Sequence, residues 1–219
     1  MISSSETLKK TFPEFISILT SKKPVIVDIK DSPSKGIIKN STFIIFNDKF
    51  KALLPSVLKP DAPFLFVCDP LKTDEVLQSL QAIAYSNILG FLEGGFEAWV
   101  ANKGEISQFN AIESENFKKL YEAKPHELNV LDVRNKNEWE NGVLPNARMV
   151  SLKDLEQETV NGKLDDLKKK MVYLYCALGP RSMMGSSVLK RHGFEDVTYI
   201  IGGYKKMTEV GLELKKPEL

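Results

Sequence analysis

The chain repeats itself, and this repetition limits what it can fold into more than any single motif does. Asp28 and Asp132 are 104 residues apart, and Gly36 with Gly142, like Asn40 with Asn146, are 106 apart. The offset then settles at 108 for Cys68 with Cys176 and for Gly94–Gly95 with Gly202–Gly203. Two copies of one domain explain such a register, with four extra residues in the second copy, between its first aspartate and its cysteine. The expected division of the 219 residues is 1–104 and 105–219, two pieces of ordinary domain size. The polar stretch from Lys103 to Phe109 is the expected link.

Each copy alternates strand-like and helix-like segments. In the first, Glu6 to Thr20 has helical spacing and Pro24 to Ile29 reads as a buried strand. A strand at Thr42–Phe46, a helix from about Asp48 to Leu58, a strand at Phe64–Val67, a helix from Asp74 to Tyr85 and a strand at Ile88–Leu92 follow. The second copy restarts with a capped helix at Ser114–Ala123 and a strand from Leu128 to Val133. This alternation implies an α/β fold with a mostly parallel sheet and helices on both faces of each domain.

The chemistry concentrates at Met171–His192. Five apolar residues, Met171 to Tyr175, read as a strand buried on both faces, and helical spacing follows Arg181 and ends at Gly193. Cys176 therefore falls at a strand's carboxyl end, facing the N-terminus of the next helix, where open α/β sheets bind ligands and free N–H groups attract an anion. A thiolate or persulfide is such an anion, and that setting is expected to keep the Cys176 sulfur nucleophilic.

The remaining composition narrows the partners. Thirty basic against 29 acidic residues give a net charge of +1, which removes the electrostatic case for nucleic acid. No apolar run is long enough to span a membrane, and with Glu6 and Glu14 the N-terminus reads as neither a signal nor a transit peptide, so a cytoplasmic protein is expected. In a reducing compartment Cys68 and Cys176 are expected to stay unpaired. His126 and His192 are the only histidines, and no Cys/His spacing suggests a metal, so neither metal nor cofactor is expected. His192 reads as a helix-end residue beside Gly193.

Cys176-Ala177-Leu178-Gly179-Pro180-Arg181-Ser182 fits C-x-x-G-x-R-S and resembles the active-site loop of the rhodanese sulfurtransferases. Asp132, Arg134, Glu138, Trp139 and Gly142 resemble that family's D-V-R-x-x-x-E-[FWY]-x-x-G signature, and Gly202-Gly203-Tyr204 its glycine-glycine-aromatic turn. The resemblance implies two rhodanese-like domains. It also implies a sulfurtransferase in which Cys176 takes a sulfane sulfur from a persulfide or thiosulfate and passes it to a thiophilic acceptor. It assigns catalysis to Cys176 and the cradling of the sulfur to Ala177, Leu178, Gly179, Arg181 and Ser182. Asp132 and Arg134, with Glu138, read as a salt-bridged supporting corner. Related phosphatases and arsenate reductases place the arginine six positions after the cysteine, where this chain has five, a loop better suited to one sulfur atom than to a tetrahedral oxyanion. Leu178 is bulky for the family, and Pro180 offers no N–H.

The first copy departs further. In Cys68-Asp69-Pro70-Leu71-Lys72-Thr73-Asp74, Leu71 replaces the glycine and Thr73 the arginine, and two carboxylates oppose a thiolate. It reads as a degenerate domain, kept for packing or for docking a partner. An alternative for the whole chain is a non-catalytic rhodanese-like binding module. The pairing of one degenerate with one intact copy, followed by R-S-M-M-x-S-S-V-L-K-R-x-G-F, resembles the C-terminal part of fusions with metallo-β-lactamase-type persulfide dioxygenases. That resemblance implies a separate persulfide dioxygenase as a partner, alongside the persulfide donor and thiol acceptor. Phe96, Trp99, Tyr204 and Met207 have the spacing of core positions.

Overall fold

A computed structural model describes residues 5–216 of the chain. The chain divides into two compact units between Gln108 and Phe109. The first contains α1 (Ser5–Leu8), β1 (Lys9–Lys10), α2 (Phe12–Lys22), β2 (Val25–Lys30), β3 (Ile37–Ile38), β4 (Thr42–Ile45), α3 (Phe50–Leu53), β5 (Phe64–Val67), α4 (Thr73–Ala82), β6 (Ile88–Leu92), α5 (Gly95–Ala101) and β7 (Ile106–Ser107). The second contains β8 (Asn110–Ile112), α6 (Ser114–Ala123), β9 (Asn129–Asp132), β10 (Arg148–Met149), α7 (Leu152–Val160), β11 (Met171–Tyr175), α8 (Pro180–Arg191), β12 (Asp196–Ile200) and α9 (Gly203–Glu209).

The two sheets match strand for strand. From one edge to the other, the first runs β1-β6-β5-β2-β4 and the second β8-β12-β11-β9-β10. Every neighbouring pair in both is parallel. Helices flank each sheet, as the alternation in the sequence predicts. The cores also correspond. Ile26, Ile38, Val67, Leu92 and Trp99 are buried in the first unit, and Val130, Leu144, Tyr175, Ile200 and Met207 are buried in the second, each at the offset set by the repeat. Central strands are enclosed because helices cover both faces, so all four residues of β5 are buried.

Three segments differ from the sequence reading. The helix expected over Glu6–Thr20 is interrupted, because Lys9 and Lys10 pair with the edge of β6 before α2 begins. Thr11 and Glu14 form a capping box there, and Pro13 lies in the first turn, where its missing N–H does no harm. The helix expected from Asp48 to Leu58 begins only at Phe50 and finishes as a tighter turn over Leu54–Ser56, around Pro55. Finally, the polar link carries β7, which pairs antiparallel with β3. That pairing keeps residues up to Gln108 with the first unit, so the division falls four residues beyond the 104/105 boundary expected from the sequence. His192 does end its helix, and its ring Nε2 sits 3.0 Å from Glu156.

Candidate active site

Cys176 follows β11, the central strand between β9 and β12, and is buried to 1% exposure. The chain then turns through Ala177 and Leu178 to Gly179, where α8 begins. Gly179 has φ +119°, a conformation open to glycine and strained for other residues, and in it the Gly179 N–H points back to donate to Cys176 Sγ at 3.1 Å. This donor is the second-last residue of the loop before Arg181, so the missing N–H of Pro180 removes nothing that the Gly179 amide provides. Ser182 is buried and donates to the Gly179 carbonyl at 2.7 Å, bracing the loop from behind. Ala177 is half-buried, and Leu178 points outward at 56% exposure.

A second support comes from the turn before α9. The Tyr204 N–H donates to the Cys176 carbonyl at 2.7 Å and the Lys205 N–H to the Ala177 carbonyl at 3.1 Å. The approach is so close that a Cβ on Gly203 would lie 2.2 Å from the Cys176 carbonyl oxygen. The first unit repeats this arrangement, with a Cβ on Gly95 falling 2.3 Å from the Cys68 carbonyl oxygen. The glycine pair thus seats the cysteine loop as well as turning the chain.

Arg134 is 1% exposed, and its charge is matched by buried Asp132 through Nε–Oδ1 at 3.0 Å and Nη2–Oδ2 at 2.6 Å. Its other donors reach the carbonyls of Glu138 at 3.1 Å and Gly142 at 2.7 Å, and the Tyr204 ring covers it at 4.2 Å. Each nitrogen of the guanidinium has a partner, which is what allows an ion pair to be buried. Glu138 enters this corner only through its backbone. Its carboxylate crosses to Arg181, with Nη1–Oε2 at 2.5 Å and Nη2–Oε1 at 2.9 Å, a pair the sequence reading missed. The Arg181 hydrogen bond holds the Glu138 carboxyl below its usual range, and Glu138, followed by the nearby Cys176 sulfur, favours the charged form of Arg181. Arg181 therefore stands near the sulfur with its charge already partnered. Of the residues expected in the core, Phe96, Trp99 and Met207 are buried, while Tyr204 is only half-buried and serves as the cover for Arg134.

In the first unit the same loop is wired differently. Cys68 is buried, and its sulfur lies 3.6 Å from Thr73 Oγ1. The Leu71 N–H, the counterpart of the Gly179 N–H, donates to Asp69 Oδ1 at 2.9 Å. Burial pushes the Cys68 thiol up to about 11, with Asp69 and Asp28 adding to the effect against the opposing Thr73 contact. Both cysteines are free.

A cysteine at the end of a central parallel strand, with the amide at the entrance of the next helix turned onto its sulfur, is the centre of this α/β domain. The chain belongs to the rhodanese-like family, whose domain matches residues 11–102 and again 113–209. A tRNA uridine(34) hydroxylase of Corynebacterium jeikeium is 36% identical over 116 residues, which are 52% of this chain and 38% of that protein. YqhL of Bacillus subtilis is 35% identical over 77 residues, covering 35% of this chain and 58% of that one. A thiosulfate sulfurtransferase structure from Pseudomonas aeruginosa aligns over 94% of this chain and 43% of its own, with 19% identity and a TM-score of 0.41. The matches to the hydroxylases span about two-fifths of their length. Among the described residues, no helix is long and apolar enough to cross a membrane.

Proposed function

We propose that the chain is a sulfurtransferase that carries a sulfane sulfur on Cys176. The observation behind this reading is the 3.1 Å hydrogen bond from the Gly179 N–H to Cys176 Sγ, a donor placed to hold negative charge on that sulfur or on one bonded to it. In the first step the Cys176 thiolate attacks the sulfane sulfur of a persulfide or of thiosulfate. The donor's S–S bond breaks, and the thiolate or sulfite leaves with the electron pair. The proton that Cys176 released on forming the thiolate is taken up by water or by the departing thiolate. An acceptor thiolate, or cyanide, then attacks the terminal sulfur and releases Cys176 as the leaving group. The donor is a small-molecule or protein persulfide, the acceptor a thiol, and a separate persulfide dioxygenase is the expected partner in a reducing cytoplasm. Intact-mass measurement after treatment with an organic persulfide tests the reading. Wild type should gain one sulfur that a reductant removes, and Cys176→Ser should gain none. An unmodified wild type would overturn it.

A second reading draws on the curated relatives, since several proteins named tRNA uridine(34) hydroxylase are at least 32% identical to about half of this chain. On that reading the Cys176 loop serves oxidation of a tRNA uridine. Nucleoside analysis of tRNA from cells lacking the gene separates the two. A hydroxylated uridine that disappears, and returns with wild type but not with Cys176→Ser, favours the second. Unchanged tRNA favours the first.

A further inference from the structure

The first unit has lost the loop chemistry but keeps a cavity of about 360 Å³ beside Cys68, within the range of small-molecule pockets. It opens at the carboxyl ends of β2 and β5. There the strand order reverses, with β4 on one side of β2 and β5 on the other, the position where open α/β sheets take ligands. Its apolar wall is made by Ile29, Phe46, Val76 and Phe96.

The charged lining is balanced, with Lys30, Lys35 and Lys72 set against Asp31, Asp69 and Glu97. Lys30 has nothing left to offer, because its Nζ already meets Asp28 at 3.1 Å, the Gly36 carbonyl at 2.7 Å and the face of Phe96 at 3.1 Å. Cys68 offers no thiolate, since burial pushes its thiol up to about 11. The usable charges are two ion pairs that tie the 31–35 loop down: Asp31 to Lys72 on the Cys68 side, and Lys35 to Glu97 on α5 at 2.8 Å. The Lys35 and Glu97 side chains are 73% and 65% exposed, and exposed pairs contribute little to folding. They can therefore exchange partners with a ligand at small cost. A ligand of one sign would meet as much repulsion as attraction along this rim, whereas one carrying both signs can match both pairs while its body fills the apolar wall.

We propose that this pocket is a non-covalent binding site for a zwitterionic amino acid or short peptide with an apolar side chain, independent of the chemistry at Cys176. In the second unit the corresponding turn instead commits Glu138 to Arg181 and Lys136 to Asp154.

The test is a two-dimensional amide NMR titration of the full chain with phenylalanine, with its amide, which is only cationic, and with its N-acetyl derivative, which is only anionic. Phenylalanine should shift the amides of residues 29–35, 68–72 and 96–97 saturably, and each singly charged analogue should bind about tenfold more weakly or worse. Lys35→Gln combined with Asp31→Asn should weaken phenylalanine by a similar factor while leaving the melting temperature in place, since both side chains are exposed. Cys176→Ser should change nothing. The proposal is overturned if no saturable shifts occur in those segments, if the shifts fall elsewhere, if a singly charged analogue binds as well as phenylalanine, or if the double variant binds it unchanged.

Discussion

The two cysteine loops share a fold and differ in where one amide points. In the second unit the residue three after the cysteine is Gly179, whose positive φ turns its N–H onto the sulfur. In the first unit the residue at that position is Leu71, which gives its N–H to Asp69 and leaves its side chain 95% exposed. Strand, helix and glycine turn survive in both. The two loops therefore differ locally, in hydrogen bonding and charge, over an unchanged framework.

The strongest way to break this comparison is to remove each sulfur in turn. Cys176→Ser should abolish sulfur transfer, while Cys68→Ser should leave the rate within about twofold of wild type, as expected for a substitution outside the reacting site. Activity that follows Cys68 would reverse the assignment of the two units. Alkylation gives the next largest contrast. With a thiol at about 11, Cys68 is ionised to roughly one part in ten thousand at pH 7, so iodoacetamide should label it slowly. Its rate should climb about tenfold per pH unit until it levels near that value, and peptide mapping after timed quenching follows both sites. Equal labelling of the two cysteines at neutral pH would remove the electrostatic distinction.

A stability effect of about 3–5 kcal/mol should follow from Arg134→Ala, because Asp132 would be left as a buried charge without its partner. Urea unfolding reads this directly, and a loss below about 1 kcal/mol would show that the corner is not a structural one. Glu138→Gln should have a milder effect and slow transfer about tenfold by freeing the Arg181 guanidinium from its fixed seat. The smallest effect is on pH dependence. Glu138 is held below its usual range in the folded state, so its stabilising contribution is fully present above the unfolded value of about 4.3 and fades as pH falls through the lower folded value. The acid side of the unfolding curve should therefore be shallower in Glu138→Gln than in wild type.

Much of this was legible in the sequence, because the repeat and the Cys176 loop rest on local patterns. Met171–Tyr175, Ile88–Leu92 and Ser114–Ala123 have the bounds that their apolar spacing predicts. The misses arise where tertiary context decides. Lys9 and Lys10 have no strand character of their own and extend only because the edge of β6 offers unpaired backbone. The Glu138–Arg181 pair joins residues 43 positions apart, a separation that no local spacing encodes. The signature groups Glu138 with Asp132 and Arg134, which hid the direction of its carboxylate. The substitution of Leu71 for glycine signalled an altered loop, but the capture of its amide by Asp69 depends on how the folded loop turns.

The contact of Gly203 with the Cys176 carbonyl is repeated by Gly95 with that of Cys68. These glycines answer to the path of the backbone and not to the surroundings of the sulfur, so they persist where the loop's hydrogen bonding has changed. A search keyed on the glycine pair would find the body plan, and one keyed on the cysteine loop would find the trade. This chain holds the glycine pair in both domains and the C-x-x-G-x-R-S loop in one, so the framework and the loop can be inherited separately.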